Sequence, residues 1–153
     1  MASKPYEQRT DLEKLQSQWH KLSGLHKREE WSAAVVRAAT AAEIAANFAV
    51  RSEFAAKSTF DAPFVDSQLK WANGLAGKIN HLLEPLWKSQ PQKHKYVKPL
   101  RKLAEAVNLK RNAVAHQGEF CNAGEATAAI ASAREFIVNL IQLYKPEFKL
   151  KER

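Results

Sequence analysis

Residues that lock or interrupt a backbone are scarce in this chain. Its 153 residues include one cysteine, five glycines and six prolines. The single thiol, Cys121, excludes an internal disulfide and a thiolate metal cluster, and it fits a reducing cytosol. To act as a nucleophile Cys121 would need a base beside it, and the sequence offers no clear one. His20, His26, His81 and His94 show no paired ligand spacing with carboxylates, so neither a metal nor another cofactor is expected. No apolar run approaches the ~20 residues of a membrane span. The stretch Met1 to Arg9 lacks the apolar centre of a signal peptide. The expected location is therefore cytoplasmic. Repeats with a period of about 20–50 residues and low-complexity tracts are missing too.

What is present is alanine, and apolar residues spaced three and four apart. No alternation of period two competes with that spacing, so the fold class is all-α. A chain of this length suits one domain and buries roughly 68–70% of its unfolded surface. We read residues 1–153 as one helical domain, with flexible tails at about 1–8 and 146–153. A first helix is expected over about 11–23, capped by Thr10 or Asp11 and ended by Ser23-Gly24. A second runs over about 26–57, with Trp31, Val35, Ala38, Ala42, Ala45 and Ala49 on one face. A third opens at Pro63 and reaches Trp87, weakened in its middle by Gly74 and Gly77. A fourth spans about 96–116, and a fifth about 125–144 before Pro146. Four long helices with a shorter leading one predict an up-and-down bundle.

Charge is the second positive signal. The formal net charge is +8, from 24 basic and 16 acidic residues. Lys93, Lys95, Lys98, Arg101, Lys102, Lys110 and Arg111 face a single acid, Glu105, within one stretch. Lys145, Lys149, Lys151 and Arg153 form a second cluster. Such concentration suits a polyanion, most simply nucleic acid, and a solubilising surface would read the same way. The six lysines and arginines from Lys93 to Lys110 are the residues expected to contact RNA.

The stretch 111–118, RNAVAHQG, closes the fourth helix. Leu100, Leu103, Ala104, Val107 and Val114 share a stripe, and Arg111 falls on it. A guanidinium there is costly unless it is paired, faces a cleft, or lays its stem along the core edge and reaches out. Asn112 and His116 are four apart and share a face. On an unbroken helix, His116 lies about 140° around from Arg111. Two arrangements could unite them. Either the helix ends near His116, with Gly118 in the left-handed region, or a second copy of the chain completes the cleft. A histidine at a helix C-terminus also has a plain electrostatic explanation.

An arginine, a polar residue, then a histidine near the end of a late helix in a small all-α protein resembles the HEPN superfamily. Its motif is arginine, four to six residues, then histidine. Arg111, Asn112 and His116 fill the three positions, and the stretch 41–51, AAEIAANFAVR, is similar to the long early helix of several members. The resemblance implies a metal-independent endoribonuclease that acts as a homodimer, its two motifs facing each other across the symmetry axis. Members serve as toxins, antiviral defence effectors and RNA-processing enzymes, some under a cognate inhibitor or antitoxin. In some toxins a tyrosine two residues after the histidine is modified by a partner nucleotidyltransferase; here residue 118 is glycine.

The chemistry suits the residue types. Cleavage without a metal uses the 2′-hydroxyl as nucleophile and leaves a 2′,3′-cyclic phosphate. Histidine moves protons near neutral pH, arginine grips phosphate oxygens in bidentate fashion, and such positioned charge is often the largest catalytic contribution. Asn112 could bond substrate or fix the His116 tautomer. Glu43 is a secondary candidate. With Arg37, Thr40, Asn47 and Arg51 it reads either as a polar outer face with an ion-pair ladder or as a carboxylate that orients Arg111. The tryptophans read as core or interface residues rather than stacking platforms for bases. Two rival readings stand beside the enzyme: a catalytically silent HEPN-like module for a nucleotide or protein, and a non-enzymatic basic bundle that binds RNA or DNA.

Overall fold

The structure is a computed structural model that describes residues 4–57, 62–72, 74–117 and 120–151, with only the backbone of residues 57, 62, 116 and 117. Among these residues every regular element is helical. A short 3₁₀ turn, Tyr6–Gln8, leads into α1 (Asp11–Lys27), α2 (Trp31–Lys57) and α3 (Ala62–Trp71). A segmented helix follows: α4 (Gly74–Gly77), a π-helical turn (Lys78–Leu83) and α5 (Glu84–Trp87). Then come α6 (Pro91–His94), α7 (Val97–Gln117) and α8 (Ala123–Gln142).

Helix α2 is the centre of the packing and touches α1, α7, α8 and the segment after Gly74. Its alanines explain this. Ala34, Ala38, Ala41, Ala42, Ala45, Ala46 and Ala49 have no exposed surface, so neighbouring backbones approach on several sides. Over Trp31–Ala56 this helix is long and apolar enough to cross a membrane by length and composition, contrary to the expectation from sequence that no such stretch existed. Arg37, Glu43, Arg51 and Glu53 interrupt that stretch and hide its mean hydropathy. In the fold it lies within the core, with 56% of the most apolar window buried.

The termini of the helices follow from local chemistry. Thr10 caps α1 in a reciprocal box: its Oγ1 accepts from the Glu13 amide at 3.2 Å, while Glu13 accepts from the Thr10 amide at 2.9 Å. Asn122 and Glu125 do the same for α8. Ser23-Gly24 does not end α1 as expected. The Ser23 hydroxyl bonds back to the Trp19 carbonyl, and the helix continues to Lys27 before Glu29 turns the chain at φ 62°. The second helix accordingly starts at Trp31 rather than near 26.

The expected third helix is broken rather than merely weakened. Gly74 adopts φ 81°, which an L side chain rarely tolerates. Gly77 lets the new helix press against its predecessor: a Cβ there would stand 3.3 Å from the Ala72 carbonyl carbon. Trp19 and Trp87 are fully buried, and Trp31 packs against the small cluster of Val35, Cys121, Ala126 and Ala129. Trp71, by contrast, lies outside the core, with 71% of its surface exposed. After Pro146 the chain lies against α1 and α8: Gln16 and Lys151 exchange hydrogen bonds, Arg134 reaches the Leu150 carbonyl, and Leu150 is buried.

Candidate active site

On α7 the apolar stripe descends through Leu100, Ala104 and Val107, all buried, to the half-buried Arg111. The core gives way at that level to a cleft of about 260 Å³ lined mainly by polar surface. Arg111, Asn112 and Asn108 form the α7 wall, Ala39, Thr40 and Glu43 the α2 wall, and Gly74 to Gly77 the third side. Arg111 Nη1 donates to Asn112 Oδ1 at 3.3 Å, which aligns the two polar groups of the motif.

Glu43 faces this cleft. Its carboxylate accepts from Lys78 Nζ at 2.9 Å, and the Lys78 side chain is only 4% exposed. The expected ladder along α2 is absent among the described contacts of these residues. Arg37 donates to Gln18 Oε1 at 2.8 Å, and Arg51 bonds Asp11 bidentately, at 2.7 and 2.8 Å, and Asp66 at 3.0 Å. Arg37, Glu43 and Arg51 therefore bridge to other elements, whereas the Thr40 hydroxyl donates back to the Val36 carbonyl of α2 itself. Lys78 and Asn108 were missed by sequence reasoning. In the run LAGKINHLL, just after the glycines, Lys78 shares the helical spacing of Leu75, Ile79 and Leu82, and a lysine on that stripe was the available signal.

His116 is reached by α7, which runs unbroken to Gln117, but its side chain lies outside the described residues, as does Gly118. Because the helix does not end before His116, helix geometry sets residue 116 about 140° around the axis from residue 111. Residues 109, 112, 113 and 116 share one outward face, on which Leu109 is 75% exposed.

The basic stretch divides into two groups. Lys93 turns inward: its Nζ lies 2.8 Å from the Glu53 carboxylate and 4.6 Å from the Tyr144 ring centre. Arg101 is held by Glu84 and by Asn80, the latter at 2.9 Å, and Lys110 by Glu125 at 2.6 Å. Lys95, Lys98 and Lys102 are exposed, with the Lys95 ammonium over Tyr96. Around Glu53, burial would raise the carboxyl's pKa, but hydrogen bonds from Lys93, Tyr144 and Gln90 outweigh it and pull it down to about 2. Burial first, then the Glu53 charge, holds the Tyr144 phenol well above its usual range. The Glu125 carboxyl is lowered by Lys110 and by the Asn122 amide.

No protein-family model, curated protein or solved structure matches the chain.

Proposed function

We propose that the Arg111 cleft is half of a metal-independent endoribonuclease centre, completed by the same face of a second copy in a HEPN-like homodimer. The observation that carries this reading is the company Arg111 keeps. A half-buried guanidinium at the end of a buried stripe opens into a polar cleft lined also by Asn112 and Glu43, where its planar fork could grip phosphate oxygens. The unbroken α7 supports the need for a second copy, since one helix cannot bring positions 111 and 116 to the same side. The exposed Leu109 on the face shared with residue 116 gives that copy an apolar contact. An up-and-down arrangement of the long helices belongs to the same reading.

In this mechanism the 2′-hydroxyl loses its proton to the His116 imidazole and its oxygen attacks the adjacent phosphorus. The P–O5′ bond breaks, and the departing oxygen takes a proton, leaving a 2′,3′-cyclic phosphate and a 5′-hydroxyl. Arg111 balances charge on the non-bridging oxygens through two parallel N–H donors. Asn112 positions the strand or the imidazole. Glu43, anchored by Lys78, holds a fixed negative charge that orients Arg111. Lys95, Lys98 and Lys102, exposed on the basic stretch, draw the backbone in. A toxin or antiviral role is what the family resemblance implies.

The test is incubation of purified protein with total RNA and a chelator. Cleavage should persist, and Arg111→Ala and His116→Ala should each slow it on the order of 10²–10³-fold. Unchanged cleavage by both variants, or a strict need for divalent metal, would refute the proposal. Binding without scission would favour the silent module or the basic bundle instead.

A further inference from the structure

We infer that Trp71 and His81 form a stacking subsite for one unpaired nucleobase beside the broken helix that walls the Arg111 cleft. The inference rests on the reading of that cleft as an RNA site, and it specifies the strand: single rather than paired.

Trp71 ends α3 with 71% of its surface exposed, although Trp19 and Trp87 in the same chain are fully buried. The indole is held from one side by His81, with ring centres 5.9 Å apart and planes tilted by 57°. Its place beside the broken helix follows from the backbone. Ala72, the next residue, lies in near contact with Gly77, and Gly74 to Gly77 form the third wall of the cleft. The break in the helix therefore sets residue 71 next to the segment that walls the cleft.

The surroundings favour a base over a protein partner. Lys70, Asn80 and His81 are exposed next to the indole, and Arg101 Nε donates to Asn80 Oδ1. Phe64, seven residues earlier on α3, is exposed too, but only at 39% and about two turns away. The indole face is therefore the main apolar surface among these amide and cationic groups, less than the contiguous apolar area of a protein docking site. A nucleobase has an apolar face and a polar edge, which suits a ring surrounded by such groups. Stacking of this kind is tolerant of base identity and requires a base free of its own duplex stack.

The test uses a fluorescently labelled, unstructured 2′-O-methyl oligoribonucleotide, which cannot be cleaved, and a duplex of the same length. Trp71→Ala should weaken binding of the single strand by about five- to a hundredfold, with duplex binding unchanged. Trp71→Phe, which keeps an aromatic face, should recover most of the loss, and His81→Ala should weaken single-strand binding less than Trp71→Ala does. Unaltered affinity of Trp71→Ala for the single strand overturns the inference, as does an equal loss on the duplex. A change in the sedimentation of free Trp71→Ala with unchanged oligonucleotide affinity also overturns it and makes the indole a self-association contact. Because the strand cannot be cleaved, this result does not depend on catalysis. An active enzyme with no Trp71 effect refutes the subsite alone, and a Trp71 effect in a protein that cleaves nothing refutes the ribonuclease alone.

Discussion

Arg111 and the Glu43–Lys78 pair share a cleft but differ in what their loss should do. Arg111 is half-buried at an opening, so Arg111→Ala removes the charge proposed to receive a phosphate and leaves the core intact. Its effect should fall on cleavage, with the urea midpoint changed by less than about 0.5 kcal/mol of stability, as for surface substitutions. Glu43→Ala should act on both, slowing cleavage because the charge proposed to orient Arg111 is gone and lowering stability as well. Lys78 is 4% exposed, and without the carboxylate its ammonium is buried with a lost charge partner. Breaking a buried pair costs roughly 3–5 kcal/mol. Glu43 is itself 38% exposed, so solvent screening cuts the expected loss to about 1–3 kcal/mol. Equilibrium urea unfolding would measure it, and the double variant Glu43→Ala, Lys78→Met should recover most of the stability, because the stranded charge is gone. If the double variant is no better than the single one, the pair is not what holds this wall.

At the scale of elements, the Glu53 cluster ties α2 to α5, α6 and the end of α8's trailing turn. The buried Glu53 carboxylate accepts from Trp87 at 3.1 Å, Tyr144 at 2.6 Å, Gln90 at 2.9 Å and Lys93 at 2.8 Å. Its pKa falls from an ordinary 4.5 to about 2 on folding. A lowered carboxylate contributes stability that is fully present above the unfolded value and fades as pH drops through the folded one. The protein should therefore lose about 3 kcal/mol from this group between roughly pH 5 and pH 2, and Glu53→Gln should flatten that limb of the stability–pH curve. An unchanged acid limb in Glu53→Gln would show that the cluster is not the source. Helix caps act at this scale as well: Asn122→Ala removes the Oδ1 that accepts from the Glu125 amide and should cost about 1 kcal/mol in thermal unfolding. These elements also show what was legible in advance. The helical class, the Thr10 cap, the Pro63 start and the α7 stripe that carries Arg111 into the core edge follow from short-range rules. The break at Gly74 and the continuation of α1 past Gly24 do not, because a glycine's role depends on its neighbours. Gly77 sits in near contact with Ala72, whereas Gly24 faces only the end of the Arg28 side chain. For the same reason Glu43 could not be assigned to the cleft from spacing on α2. Its partner Lys78 comes from an element thirty-five residues away.

At the scale of the whole molecule, net charge and composite geometry make separate demands. The formal charge is +8, but Lys93, Arg101 and Lys110 are engaged with Glu53, Glu84 and Glu125. The salt dependence of RNA binding should therefore be set by fewer cations than the sequence run contains. Neutralising Lys95, Lys98 and Lys102 together should reduce the slope of log K against log salt by about two to three, whereas Lys93→Ala should reduce stability more than slope. Geometry makes the stronger demand. If one α7 cannot bring positions 111 and 116 together, each working centre takes its arginine from one copy and its histidine from the other. Arg111→Ala and His116→Ala, each inactive alone, should then restore cleavage when mixed under conditions that let copies exchange. Random exchange makes half of the dimers mixed, and a mixed dimer retains one of its two arginine–histidine pairs, so recovery of about a quarter of wild-type activity is expected from two-fold symmetry. Leu109→Glu on the shared outward face should lower both the sedimenting mass and this recovery. Mixing the double variant Arg111→Ala, His116→Ala with either single variant should restore nothing, since no intact pair can form. Full cleavage by a protein that sediments as a single copy at working concentration would contradict the composite centre, whatever the individual variants do.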